Sequence, residues 1–410
     1  MNKIKQAWDQ IKQIWKNMKK VWDRTRNRVS LALRLLRMLF FKGIAACVPH
    51  ADEVRTVWLF SERGDAACDN AWHLFCYVRA HMPEIRAYYI LEKGAPDRAK
   101  VAAVGKVLTK NSTRHALFYF LPTVKISTHL FGASPDLPLM NSHKGRKLLT
   151  TRGKTVFLQH GILKDDIPAL YAGQTNFDLF VCGAAPEFDF VRARYGYPDE
   201  TVALLGMARY DALLSAKPKR QILLMPTWRA AFSSLSAEAF ATTEFFCSLD
   251  TLLHSPALAA FLEKADLTLT FAFHTELARF APLFTAPSPR IIFGTPDVGE
   301  AVRESAVLLT DYSSVAFDFA FARRPVVYLA LPGMTDANYP RGWFDRDHDG
   351  FGSIVQNEEK LLSALRELVK NGFTVSKTAA KNADAVFPVR DADACLRLAE
   401  RITALTEQTE

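Results

Sequence analysis

The chain has 410 residues, 49 % of them hydrophobic and 23 % charged, with 19 Gly and 20 Pro. That composition excludes disorder, collagen and coiled-coil rods as the main architecture, and at ~100–200 residues per domain it calls for two to three domains. The net charge is +9, but residues 1–42 carry 12 Lys/Arg against Asp9 and Asp23, while the remainder holds 40 basic and 41 acidic residues. Basicity therefore belongs to an appendage and says little about the enzyme-sized body.

In that appendage (residues 1–48) Ile4, Trp8, Ile11, Trp15, Met18 and Trp22 recur at spacings of four and three, continuing through Val29, Leu33, Leu36 and Phe40. The spacing predicts a long amphipathic helix. Tryptophans on one face with Lys and Arg on the other suit a helix lying on anionic lipid, since indoles sit at headgroup depth and the cations stay in water. The run Leu31–Phe41 is broken by Arg34 and Arg37 and is too short to span a bilayer. No small-residue cleavage pattern of a signal peptide accompanies it. The expectation is a peripheral protein on the cytoplasmic face of the cytoplasmic membrane. A heptad seam packed on another helix or on the body is the competing account, against which three seam tryptophans weigh. No nucleic-acid motif is present, so nucleic acid is not an expected partner.

After Pro49, strand-length apolar runs alternate with amphipathic segments. The first half offers Thr56–Phe60, Ala87–Leu91, Gly105–Leu108, Val124–Ser127, Thr155–Leu158, Leu179–Val181 and Val202–Leu205. The second offers Gln221–Met225, Thr268–Phe273, Arg290–Phe293, Val307–Leu309 and Val326–Leu329, and a helix near 391–405 closes the chain. This alternation predicts an α/β protein of parallel sheets covered by helices. Ser215–Arg220 is short, polar and contains Pro218, which places a linker between two Rossmann-like domains, 49–215 and 216–410, facing one cleft. Six scattered cysteines form no C-x-x-C pair, which argues for free, mostly buried thiols and against a zinc site.

Ligands of open parallel sheets bind beyond the carboxyl ends of the strands, and four such ends carry chemistry. VFLQHGILKDD delivers Gln159, His160 and Gly161, with Lys164 one turn on; an imidazole there can move a proton near neutrality, or can be merely structural. ILLMPTWR clusters Thr227, Trp228 and Arg229, able to hold a base or a phosphate unless Trp228 simply packs on its sheet. LTFAFH ends on His274, which would face His160 across a closed cleft. The fourth is a strand followed by Thr310, Asp311, Tyr312, Ser313 and Ser314 and then a helix. There free N–H groups and hydroxyls suit a phosphate, and capping by Asp311 or Ser313 is compatible with that use. Gly206–Leu213 adds Arg209 and Asp211. Without G-x-G-x-x-G, P-loop, H-E-x-x-H or a D-x-D pair of metal-ligand type, NAD enzymes, ATPases and zinc hydrolases become poor candidates.

These motifs, in order LQHG-x-LK (158–164), G-x-x-R-x-D (206–211), PTWR (226–229), TDYSS-x-x-FDFA (310–320), RP-x-x-Y (324–328), GWFD (342–345) and GFGSIV (350–355), resemble those of the CDP-glycerol glycerophosphotransferase family, the GT-B teichoic-acid and capsule polymerases. The resemblance implies transfer of glycerol phosphate from CDP-glycerol to a hydroxyl of a polymer or lipid-linked acceptor, with CMP leaving. It makes His160 the base and puts His274 on the donor diphosphate. Ser313 and Ser314 would hold the β-phosphate, with Arg209, Thr227, Arg229, Thr310 and Asp311 on the donor side. Asp318 would orient, and Gln159 and Lys164 would face the acceptor. It also implies no permanently bound cofactor and no obligatory metal. The chain departs from the commonest family form in having Gln159 before the histidine, Ile162-Leu163 after the glycine and Thr275 after His274. CDP-ribitol as donor, a GT-B glycosyltransferase using a nucleotide sugar, and a membrane-docked scaffold with a decayed site are the alternatives.

Overall fold

Strand-length runs that are apolar at most positions, without strict alternation, have little solvent face and are covered on both sides. The computed structural model, which describes residues 29–48, 57–294, 297–334 and 338–407, resolves them into two parallel sheets flanked by helices. The first contains β1 (Val57–Ser61), β2 (Arg86–Leu91), β3 (Lys106–Thr109), β4 (Val124–Ser127), β5 (Thr155–Phe157), β6 (Leu179–Cys182) and β7 (Val202–Leu204), in the order 3-2-1-4-5-6-7. The second contains β8 (Lys219–Leu224), β9 (Thr268–Phe271), β10 (Ile291–Phe293), β11 (Ser305–Thr310), β12 (Val326–Leu329) and β13 (Gly352–Val355), in the order 10-9-8-11-12-13. The strand order reverses between β1 and β4 in one sheet and between β8 and β11 in the other. Those two reversals open the crevices in which such sheets bind ligands.

Three features differ from the sequence expectations. β13 carries no strand signal in the sequence, because Gly352 and Ser353 are weak strand formers; Gly352 is nonetheless required, since a Cβ there would lie 1.7 Å from the Val326 carbonyl. The connection between the units is shorter than 215–220: one helix ends at Ser215 and β8 begins at Lys219. Arg324 pins that link, donating to Ala216 O at 3.1 Å and to Ser305 O and Val302 O at 3.1 and 3.0 Å. The closing helix, Ala394–Glu407, does not complete the second unit. Its Cys395, Leu398 and Ile402 share a buried cluster with Trp58, Phe60 and Phe75 of the first, and Asp211 accepts from Ala394 N and Cys395 N at 2.9 Å each. The cysteines are free, with Cys182 and Cys395 buried but Cys47 and Cys247 exposed.

Residues 29–46 are helical. One face sits on the body: Arg34 grips Asp136 through two bonds of 2.7 Å, and Met38 and Ala45 are buried among Tyr119, Phe120 and Leu139. The opposite face leaves Val29, Leu33, Leu36 and Phe40 55, 62, 63 and 64 % exposed, the same four residues that continue the sequence-derived stripe. The tryptophan-bearing stretch 1–28 lies outside the described residues. No single described helix is long and apolar enough to cross a membrane.

Candidate functional site between the two sheets

The carboxyl ends of both sheets face one cleft of about 570 Å³. Its first-unit wall is built by the turns after β1, β4 and β5. Gln159 takes φ +59°, and its amide nitrogen donates to Val181 O at 2.7 Å and to Glu187 at 3.0 Å. Glu187 is fully buried and also accepts from the backbone N–H groups of Leu163, Gly183 and Ala184. Burial pushes its carboxyl up to about 7 against the pull of those donors. The amide of Gln159, expected to face the acceptor, is thus consumed in shaping the loop that presents the next residue, because an amide in that buried position must be bonded.

His160 opens on the cleft. Loss of water to the surrounding walls, and then the Arg209 and Arg63 cations, push its imidazole down to about 4. It is neutral at neutral pH, and neither ring nitrogen has a partner among the described residues. His129, from the turn after β4, stacks on it with ring centres 5.0 Å apart and planes 14° apart. Arg63, from the turn after β1, donates its Nε–H to His129 Nε2 at 3.1 Å and reaches Glu276 of the second unit at 3.7 Å.

Across the cleft, His274 accepts from Glu276 N through Nδ1 at 3.3 Å, which leaves Nε2–H as its donor. It stacks on Trp228 with centres 6.0 Å apart. Burial first, then Arg63 and His160, lower it to about 4, so the two predicted histidines are close enough to feel one another. Ser313 and Ser314 line the cleft, and a Cβ on Gly161 would lie 3.0 Å from Ser314 Oγ; only a bare glycine lets the His160 turn come this near the serines.

The other expected donor contacts fall into two groups. Thr227 lines the cleft, with its N–H and hydroxyl both bonded to Asp311 at 2.8 Å. Arg229, Thr310 and Asp311 do not reach it. Arg229 is buried, bonds Asp311 and the Thr227 carbonyl, and lies 5.1 Å from the Phe245 ring centre, while Thr310 donates to Met225 O at 2.7 Å. An acidic side chain at the end of β11 attracts the nearest guanidinium and N–H groups, so these residues tie the β8 and β11 turns together behind the wall instead of forming it.

Arg209 and Asp318 meet at the seam. Arg209 donates to Asp318 at 2.7 and 3.0 Å, to Asp69 at 2.9 Å and to the His160 carbonyl at 2.9 Å, so one guanidinium spans both units. Burial pushes both carboxyls up while Arg209 holds them down. Lys164 is also at the seam: its Nζ lies 2.7 Å from Asp165 and 3.1 Å from the centre of the Tyr312 ring, and Tyr312 Oη donates to Asp165 at 2.7 Å. Burial lowers its ammonium to about 8. Its charge is committed between the units, not held out for an acceptor.

Sequence reasoning missed Arg63, His129 and Glu187. The first two carry a usable signal, since FSER and STH follow apolar runs and flank the strand-order reversal; Glu187 carries none, because its role arises from folding alone. Among the described residues no group of three or more His, Cys, Asp or Glu is placed to hold a metal ion.

Residues 42–404 match the family described as CDP-glycerol:poly(glycerophosphate) glycerophosphotransferase. The chain is 28 % identical over 361 residues to the minor teichoic acid biosynthesis protein GgaB of Bacillus subtilis (strain 168), covering 82 % of this chain and 38 % of that protein. It is 26 % identical over 194 residues to the teichoic acid poly(glycerol phosphate) polymerase of the same organism, covering 44 % of this chain and 24 % of that protein. The chain thus spans less than two fifths of the length of these relatives. A variant of the wall teichoic acid polymerase TagF soaked with CDPG shares the fold, with a TM-score of 0.68 at 16 % identity over 94 % of this chain and 99 % of that one.

Proposed function

The chain belongs to the CDP-glycerol:poly(glycerophosphate) glycerophosphotransferase family, and from that premise we propose that it moves glycerol phosphate from CDP-glycerol to a hydroxyl of a phosphate-containing polymer or its lipid-linked acceptor, releasing CMP. The observation that carries this is the convergence of a neutral imidazole from each unit, with Ser313 and Ser314, on one cleft. A ring nitrogen of His160 takes the proton of the acceptor hydroxyl as its oxygen bonds to the β-phosphorus. The bond from that phosphorus to the bridging oxygen breaks, and CMP leaves with the electron pair. Such transfers need little covalent help from the protein beyond positioning and donors on the non-bridging oxygens. Those donors are the Nε2–H of His274 and the two serine hydroxyls, while Arg209 and Arg63 supply positive charge beside them. The solved relative soaked with CDPG supports the choice of donor.

The test is turnover of CDP-glycerol with an oligomeric acceptor, followed as CMP release and product length, beside thermal shifts with CDP-glycerol, CDP-ribitol, UDP-sugars and GDP-sugars. CDP-glycerol at 100 times its Kd should stabilise the protein by about 2.7 kcal/mol and the others far less. A dominant shift with CDP-ribitol or a sugar nucleotide would redirect the assignment. Neither CMP nor a longer product would end it.

We also propose that residues 1–42 seat the protein peripherally on the anionic cytoplasmic face of the membrane. The exposed stripe Val29, Leu33, Leu36, Phe40 supports this, as do the exposed Lys144 and Lys147 on the helix His143–Leu148, to whose last carbonyl Lys42 donates at 2.8 Å. Leu33→Ser with Leu36→Ser and Phe40→Ser should weaken co-sedimentation with phosphatidylglycerol vesicles, and removal of residues 1–28 from that variant should abolish it, both sparing turnover of soluble acceptor. Equal sedimentation of the parent and the variant lacking residues 1–28 would refute the seat.

A further inference from the structure

We propose that His129 is a positioning residue for His160: a ring held neutral and in one tautomer, it fixes the plane of the base and lets it take up a proton without competition. This rests on His160 being the base. The tautomer follows from donor and acceptor chemistry. The Nε of Arg63 can only donate, so His129 Nε2 must accept. The ring proton then sits on Nδ1, which lies 2.8 Å from the Thr128 hydroxyl and donates to its oxygen. Thr128 is fully buried, which keeps that bond out of water. Both nitrogens of His129 are committed, and neither has a lone pair left for a proton.

The consequence reaches His160 through the stack. An imidazole whose nitrogens are both unbonded turns easily about its outer torsion; the ring of His129, 5.0 Å away and nearly parallel, removes that freedom on one side. Two adjacent imidazoles that could both protonate would also titrate as a coupled pair, sharing one proton at mild acidity. Here the Arg63 cation excludes the second site. The charged groups that act on His160 are then Arg209 and Arg63, the first paired with Asp69 and Asp318 and the second with Glu276, with His274 across the cleft. Burial, His160 and Arg63 together push His129 down to about 2, consistent with a ring that never charges.

The test uses the full chain, labelled with 15N in its histidine rings. Two-bond ring spectra should report His129 as the Nδ1–H tautomer, unchanged in position from pH 8 down to about 5, where free histidines have titrated. In Arg63→Met the His129 signals should begin to titrate, and the acidic limb of turnover should move up by about one pH unit or more. His129→Phe keeps a flat ring and should retain kcat within about threefold, whereas His129→Ala should lower kcat by about ten- to thirtyfold with the donor KM little changed. An Nε2–H tautomer for His129, or His129→Ala with the parent's kcat, pH profile and His160 signals, would overturn the proposal. Full activity of His160→Ala would instead remove the base assignment and leave the tautomer result standing, so the two failures are told apart.

Discussion

Replacing His160 by Ala should lower kcat by about 10²- to 10⁴-fold, the range over which a positioned general base contributes, while the circular dichroism and melting temperature stay near those of the parent. The imidazole lies exposed on the cleft with no bonded partner, so its removal takes away no structural contact beyond the stack on His129. The pH dependence gives a sharper signature. In the free protein, lost hydration and then Arg209 and Arg63 hold the ring near 4, so kcat/KM, which reports the free enzyme, should stay level down to about pH 5 and fall as about 4 is approached. A bound diphosphate offsets the two arginines and favours the imidazolium. The acidic limb of kcat should therefore lie above that of kcat/KM. An inverted order of the limbs, or unaltered turnover in the alanine variant, would exclude His160 as the base.

Arg209→Met is expected to cost about 3–5 kcal/mol of stability, as when one member of a buried ion group is removed and its partners stay behind. Asp69 and Asp318 would face each other without their common guanidinium. Burial already raises both carboxyls and Arg209 is what holds them down, so its loss moves them further up. A carboxyl whose folded value lies above its unfolded one contributes stability below that window and loses it as pH rises. The variant should consequently melt higher at about pH 5 than at about pH 8 relative to the parent. Parallel melting curves for the two proteins across that range would show the triad to be energetically silent.

The fold was legible because predominantly apolar, strand-length runs alternating with amphipathic segments have one stable solution, layers covered on both sides. All twelve predicted strands occur, and the thirteenth escaped because Gly352 and Ser353 owe their strand conformation to the Val326 backbone and not to their own propensity. The site was legible where a reactive side chain stands directly after such a run, as with His160, His274, Ser313 and Ser314. Legibility failed in two ways. Arg229, Thr310 and Asp311 stand at strand ends and look like ligands, but Asp311 draws Arg229 onto its carboxylate and Thr310 donates to Met225 O, and only the folded arrangement reveals which way each points. Glu187 sits in the first turn of a helix and acquires its role from four donors contributed by two separate segments, the turn after β5 and the loop after β6.

The path of the last helix has a consequence for how this protein can be taken apart. Since Ala394–Glu407 returns to the core of β1 and its neighbours, residues 216–393 form a nested insertion within the first unit. A fragment ending at Ser215 would expose Trp58, Phe60 and Phe75 on the side that helix covers, so severing the polypeptide at the link cannot liberate two independent modules. The chain crosses between the units twice, at 216–218 and again before Ala394, and each crossing is held at its end, the first by Arg324 on Ala216 O and the second by Asp211 on Ala394 N. Any widening of the cleft to admit a long acceptor is then restrained by two chain connections and not by one.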